Sequence, residues 1–209
     1  MSSVPVAGAS ASPVGAPVVI VVSGPSGAGK DAVIAGLRER TDAFTVPVTM
    51  TTRAPRPGEV DGSDYIFVTQ DEFARALAAD ELLEHAEVYG NFYGVPRAQL
   101  RDALDAGRDV IMRVDVQGVA TLRALLDGAV FVFVATPDEA TLAARLHGRG
   151  DDPEAITRRL AMASRELALS DGFDHVVVNA DGGLDAAVDR LLDIVATERV
   201  RPGRHVVHV

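Results

Sequence analysis

Pro17-Val18-Val19-Ile20-Val21-Val22-Ser23-Gly24-Pro25-Ser26-Gly27-Ala28-Gly29-Lys30-Asp31 is the stretch that decides the fold. Its first seven residues form a mostly β-branched run without polar alternation, the pattern of a strand covered on both faces in a parallel sheet. That run leads straight into Gly24 to Lys30, which satisfies G-x-x-x-x-G-K, and Val33, Ile34 and Leu37 then recur at helical spacing. The glycine-rich segment therefore lies between a buried strand and a helix N-terminus. In that setting its glycines let backbone N–H groups face phosphate oxygens, the helix dipole adds favourable potential, and the Lys30 ammonium reaches β- and γ-phosphates.

Lys30 is the only lysine among 20 basic residues. A compact ammonium and a planar guanidinium are not interchangeable in a tight phosphate cradle, which gives the lone lysine a physical reason. Asp31 stands where this motif usually offers a serine or threonine hydroxyl to Mg²⁺. A carboxylate there could ligate Mg²⁺ directly or through water, or repel a phosphate until a cation neutralises it.

The 209 residues suit one domain with one substantial core, and 47% apolar with 24% charged residues suits a soluble globular protein. A net charge of −10 disfavours nonspecific binding to nucleic acid or an anionic membrane, so any anionic ligand must meet a local basic cluster. Without cysteine there is no disulfide framework and no thiolate chemistry, which fits a reducing, cytoplasmic setting. Residues 1–16 are small and Pro-interrupted, with no basic leader and no membrane-length apolar run, and read as a disordered tail.

Further strand-like runs at Asp109 to Val114, Ala129 to Ala135 and His175 to Val178 alternate with amphipathic helical stretches. This is the pattern of an α/β fold with a parallel sheet flanked by helices. Thr69-Gln70-Asp71-Glu72 reads as a capping box, and Thr136-Pro137-Asp138-Glu139 places proline at a first helical position, predicting helices over about 70–79 and 137–146. Between Pro47 and Arg97 the periodicity changes to short strand-like pieces among Pro- and Gly-rich turns, which predicts an inserted α+β lobe over 48–96. The core then comprises 17–47 and 97–200. His147-Gly148-Arg149-Gly150-Asp151-Asp152-Pro153 is polar, Gly-rich and flanked by arginine, and predicts a short lid over about 146–158. Residues 201–209, with His205 and His208, read as a C-terminal tail.

Within the lobe, Thr51-Thr52-Arg53-Ala54-Pro55-Arg56-Pro57-Gly58-Glu59 holds two arginines three residues apart on proline-stiffened backbone, a fork suited to a phosphate monoester. All three tyrosines, Tyr65, Tyr89 and Tyr93, fall in the same lobe. Phenolic hydroxyls there can bind a polar ligand, although tyrosine packing is an equally ordinary use.

Taken in order, these segments resemble the guanylate kinase family. The resemblance rests on the glycine-rich loop, the Thr51 to Gly62 segment followed by Asp64-Tyr65, Gly90-Asn91-Phe92-Tyr93-Gly94, Val114-Asp115-Val116-Gln117-Gly118, Gly148-Arg149-Gly150 and Val178-Asn179. It covers about residues 17–200 and implies a P-loop nucleoside monophosphate kinase using ATP, GMP or dGMP, and Mg²⁺. By that resemblance Gly24, Pro25, Ser26, Gly27, Ala28, Gly29, Lys30 and Asp31 bind ATP, with Asn179 beside the adenine. Arg53, Arg56, Tyr65 and Tyr93 bind the GMP phosphate, while Thr49, Glu84 and Asp115 recognise guanine. Lys30 and the lid arginines Arg145, Arg149 and Arg159 are the implied catalytic cations, and Asp31 is the candidate for the metal.

The chain departs from the family at Val95, where a serine or threonine is usual, and at Arg113, where an acid is usual. An acid gained at Asp31 thus coincides with an acid lost at Arg113. Two readings stand side by side: the two residues form an ion pair, or Arg113 extends to solvent and Asp31 faces the metal. The implied reaction is ATP-dependent phosphorylation of GMP. A sugar-phosphate kinase of the same fold and an inactive guanylate kinase-like interaction module remain the alternatives.

Overall fold

The computed structural model describes residues 15–88, 90–147 and 153–209. The expected tail over 1–16 lies outside them apart from Gly15 and Ala16, as do Tyr89 and the centre of the expected lid, including Arg149.

Five parallel strands form the main sheet in the order β2-β7-β1-β8-β9, with β1 Val19–Ser23, β2 Phe44–Thr45, β7 Asp109–Arg113, β8 Val130–Ala135 and β9 His175–Val178. Central β1 alternates between two cores. Val18, Ile20 and Val22 pack with Val33 and Leu37 of α1 (Lys30–Arg40) and Leu191 of α7 (Leu184–Arg199). Val19 and Val21 pack on the opposite face with Leu100 of α3 (Arg97–Asp105) and Leu122 of α4 (Val116–Leu125). Covering both faces explains why the run around β1 carries no polar alternation. Because β7 and β8 flank β1 on opposite sides, the β1–α1 loop opens at the carboxyl end of the sheet where strand order diverges, the usual ligand crevice of such sheets.

The second sheet has the order β4-β3-β6-β5, with β3 Met50–Thr51, β4 Ile66–Phe67, β5 Leu82–Val88 and β6 Asn91–Pro96. Helix α2 (Gln70–Ala78) covers it through Phe73 and Ala76, which cluster with Leu82, Met50 and Phe92. Its start is the capping box expected from sequence: Glu72 N–H donates to the Thr69 hydroxyl at 3.2 Å and Thr69 N–H donates to the Glu72 carboxylate at 2.8 Å.

Two sequence expectations need correction. Helix α5 (Glu139–His147) begins two residues after Pro137, because Asp138 accepts from Thr141 N–H at 2.7 Å and so caps the first turn itself. Residues 201–209 are also built into the fold. Val207 is 2% exposed in the core beneath α4, and Arg204 donates to the carbonyls of Ala16 at 2.7 Å and Pro17 at 3.1 Å. Among the described residues no helix is long and apolar enough to cross a membrane.

Candidate active site

The loop after β1 turns into α1 at Gly29, whose φ of 88° is left-handed and whose absent Cβ would lie 2.2 Å from the Asn179 amide nitrogen. Only glycine meets both demands. Lys30 curls over the loop, donating from Nζ to Gly24 O at 2.6 Å and Pro25 O at 3.1 Å. Burial lowers its pKa, and the nearby Asp31 and Glu166 carboxylates work against that shift. A phosphate on this ammonium would supply the missing counter-charge.

One cleft joins this loop to the second sheet. It is lined by five cationic residues, Lys30, Arg53, Arg56, Arg113 and Arg159, and four acidic ones, Asp31, Glu84, Asp115 and Glu166. In an acidic protein this is the local basic cluster that an anionic ligand requires.

At the lobe end, Arg53 donates from one terminal nitrogen to both Glu59 carboxylate oxygens at 2.8 and 3.0 Å and from the other to Ala54 O at 2.7 Å. Arg56 N–H donates to the same Glu59 carboxylate at 2.7 Å, so one acid fixes both members of the fork. Tyr65 packs edge-on to Tyr93 with centroids 6.2 Å apart, and the Arg53 guanidinium carbon lies 5.1 Å from the Tyr65 ring. Burial raises the Tyr65 pKa, keeping the phenol a donor.

Glu84, on β5, points out of the lobe against α4. A Cβ on Gly118 would fall 2.3 Å from its Oε2, so the glycine makes room for the carboxylate. Glu84 is 5% exposed, and its Oε2 has no hydrogen-bond partner among the described residues. Burial and then the Asp115 charge push its pKa up to about 7. Asp115 lines the same wall and caps α4 by accepting from Gln117 N–H at 3.0 Å. Thr49, 9% exposed, completes this corner. Val95 stands directly across from Glu84 on β6, but its side chain is 2% exposed and clusters with Leu83 and Leu100 rather than lining the cleft.

The other expected residues divide. Arg159 of α6 (Pro153–Leu167) lines the cleft. Arg145 and Asn179 bond to the phosphate loop at the Ala28 carbonyl and do not line this cleft. Asn179 donates to Ala28 O at 2.9 Å, while Arg145 donates to Asn179 O at 2.8 Å and Asp181 at 2.7 Å. The sequence reading missed Glu166 and Met162, which line the cleft with Arg159. The available signal was their spacing, since residues 159, 162 and 166 share one helical face. Burial, then Asp115, pushes the Glu166 pKa up to about 7, and Lys30 opposes the shift.

Of the two readings for Asp31 and Arg113, the structure bears out the ion pair, formed between Arg113 Nη1 and Asp31 Oδ1.

A phosphate loop on a parallel sheet, facing an inserted lobe with an arginine fork across one cleft, defines a two-lobed P-loop kinase of the nucleoside monophosphate class. The family model for guanylate kinase matches residues 16–198. A guanylate kinase from Gloeobacter violaceus is 48% identical over 185 residues, spanning 87% of this chain and 90% of the relative. Guanylate kinase 2, chloroplastic/mitochondrial, from Oryza sativa subsp. japonica is 43% identical over 195 residues, spanning 92% and 68%. The crystal structure of guanylate kinase from Anaplasma phagocytophilum superposes with a TM-score of 0.77 at 33% identity, covering 92% of this chain and 91% of that one. The chain belongs to the guanylate kinase family.

Proposed function

We propose that this protein transfers the γ-phosphoryl group of ATP to GMP, giving ADP and GDP, and accepts dGMP through the same base and phosphate contacts. The observation that carries this reading is the buried Glu84 carboxylate, with one oxygen unpartnered, in the same cleft as Lys30. Guanine presents two adjacent donors, N1–H and the N2 amino group, to such an acceptor. Adenine has an acceptor at N1 and no N2 amino group, so it would leave the buried charge unpaired. A sugar phosphate would leave Glu84 without a role, and an interaction module would have no use for the single lysine in its phosphate loop.

Arg53, Arg56, Tyr65 and Tyr93 hold the acceptor phosphate, and Thr49 and Asp115 flank the base. Lys30 and the loop hold the donor phosphates. Arg159 faces the cleft from α6 and stabilises charge on the transferring group, a role the family resemblance also implies for Arg149, which lies outside the described residues. The side-chain position of Arg145 gives it a first task of bracing the loop through Ala28 and Asn179. No covalent intermediate is needed, since positioning and charge stabilisation carry phosphoryl transfer. Mg²⁺ fits the chemistry present: Asp31 is an oxygen donor on the cleft with a side chain 73% exposed, and Mg²⁺ takes one or two carboxylates beside waters and phosphates. When bound it neutralises charge on the phosphate oxygens. The cysteine-free sequence fits a reducing cytoplasm as the setting of the reaction.

An ADP-release assay with ATP, Mg²⁺ and a panel of GMP, dGMP, AMP and ribose phosphates is the test. Turnover with GMP and dGMP only is expected; equal turnover with AMP, or none with any acceptor from folded protein, would overturn the reading.

A further inference from the structure

Arg113 ends β7 and pairs in register with Val22 of β1, so its side chain rises beside the phosphate loop. It meets two elements there. Asp31, the second residue of α1, holds one terminal nitrogen. Its guanidinium carbon lies 5.0 Å from the centre of the Tyr65 ring in the lobe. Arg53 lies 5.1 Å from the same ring, so one phenol is flanked by two guanidinium groups.

Two like charges sharing one aromatic ring repel each other unless each has its own counter-charge. Both do, and in the same way: Glu59 holds Arg53 and Asp31 holds Arg113. In the second pair the acid is the outer member, with a side chain 73% exposed against 25% for the arginine. The tether therefore comes from the solvent side, and Arg113 keeps donors on the cleft wall beyond those its acid occupies. Burial opposes the Arg113 charge, but Asp31 and Tyr65 together outweigh it and the pKa stands above its ordinary value.

We propose that Arg113 is a third phosphate-binding arginine of the acceptor end, placed between Lys30 and Arg53, and that Asp31 is the positioning residue that aims it. The assignment rests on the GMP reading above. It gives the acid that replaces the usual hydroxyl in the loop a role toward the acceptor as well as toward the metal. A purely structural alternative has Arg113 tie α1 to the lobe through Tyr65 without touching ligand.

The two are separated by calorimetric binding of GMP and of guanosine without ATP or Mg²⁺, since guanosine keeps the base and lacks the phosphate. Arg113→Met is expected to weaken GMP binding by about 10- to 100-fold, the loss of a charge-assisted phosphate contact, and to leave guanosine within about 2-fold. Arg113→Lys should recover part of the loss. Asp31→Asn should weaken GMP by about 3- to 10-fold, again sparing guanosine, and should add nothing on top of Arg113→Met. Equal losses for GMP and guanosine, or wild-type GMP binding, would overturn the proposal. If Arg113→Met does not fold, as judged by circular dichroism, the Asp31→Asn pair of measurements decides by the same criterion. Wild-type turnover of GMP is scored separately: its failure sinks the functional reading, whereas intact turnover with an indifferent Arg113 sinks only this inference.

Discussion

Burial of Glu84 suits ligand recognition and works against the stability of the free protein. Its carboxyl is raised from 4.5 to about 7, so the folded state favours the protonated form. For a raised carboxyl, the extra stability is fully present below about pH 4.5 and is lost as pH climbs through about 7. Glu166 shifts in the same direction and over the same window. Glu84→Gln should therefore raise the stability of the ligand-free protein at pH 8 by about 1–3 kcal/mol, with little change at pH 5, in denaturant titrations at both pH values. On the proposed role of Glu84, the same variant should lose about 100-fold or more in kcat/KM for GMP, because the ionised carboxylate would be the form that accepts from guanine. Acid should likewise weaken GMP binding in the wild type below about pH 7, and that limb should be shallower in the variant. A variant less stable at pH 8 would show that Glu84 has a partner in the free protein.

Between elements, the contact of β5 with α4 sets where that carboxylate sits, and Gly118 is its seat. An alanine in the first turn of α4, where Gly118 is the third residue, gains at most about 0.5–1 kcal/mol of helix propensity over glycine. Its methyl would fall on the Glu84 carboxyl, with Cβ 2.3 Å from Oε2 and 2.8 Å from the carboxyl carbon. Gly118→Ala should thus leave thermal stability within about 1 kcal/mol while weakening GMP at least about 10-fold. Wild-type GMP binding in calorimetry would show that Glu84 does not need this seat. The contact also marks the limit of what the sequence discloses. Strand runs, the capping box and the phosphate loop are local patterns, and each appears where periodicity puts it. The Gly118–Glu84 approach and the Arg145–Asn179 brace on the loop join residues more than thirty positions apart, which no local period encodes. Resemblance could name Arg145 and Asn179 as nucleotide residues, but only the fold shows both occupied with the Ala28 carbonyl. Glu166 was missed for a related reason, since one acid on a charged helix looks solvated until the opposite wall is known.

Across the whole molecule, the least legible feature is the chain after α7. His-Val-Val-His-Val has neither helical spacing nor turn signals to anchor it, yet Val207 is 2% exposed among Val19, Leu126 and Phe131. Arg204, also 2% exposed, ties the segment to the approach to β1 through Ala16 and Pro17. The C-terminal segment therefore closes the same layer that supports the phosphate loop, on the face away from α1. Deleting it would be hard to interpret, because releasing its nine residues returns about 1–2 kcal/mol of backbone entropy each and offsets the lost contacts. A point change avoids that. Val207→Ala removes two methyl-sized groups from a packed site and should cost about 1.5–3 kcal/mol, from transfer and the residual cavity together. In a chain of 209 residues that is a fall in Tm of about 3–12 °C by calorimetry, with KM for GMP unchanged because Val207 does not line the cleft. A segment that merely rests on the surface would shift stability by less than about 0.5 kcal/mol, and that outcome would overturn its place in the core.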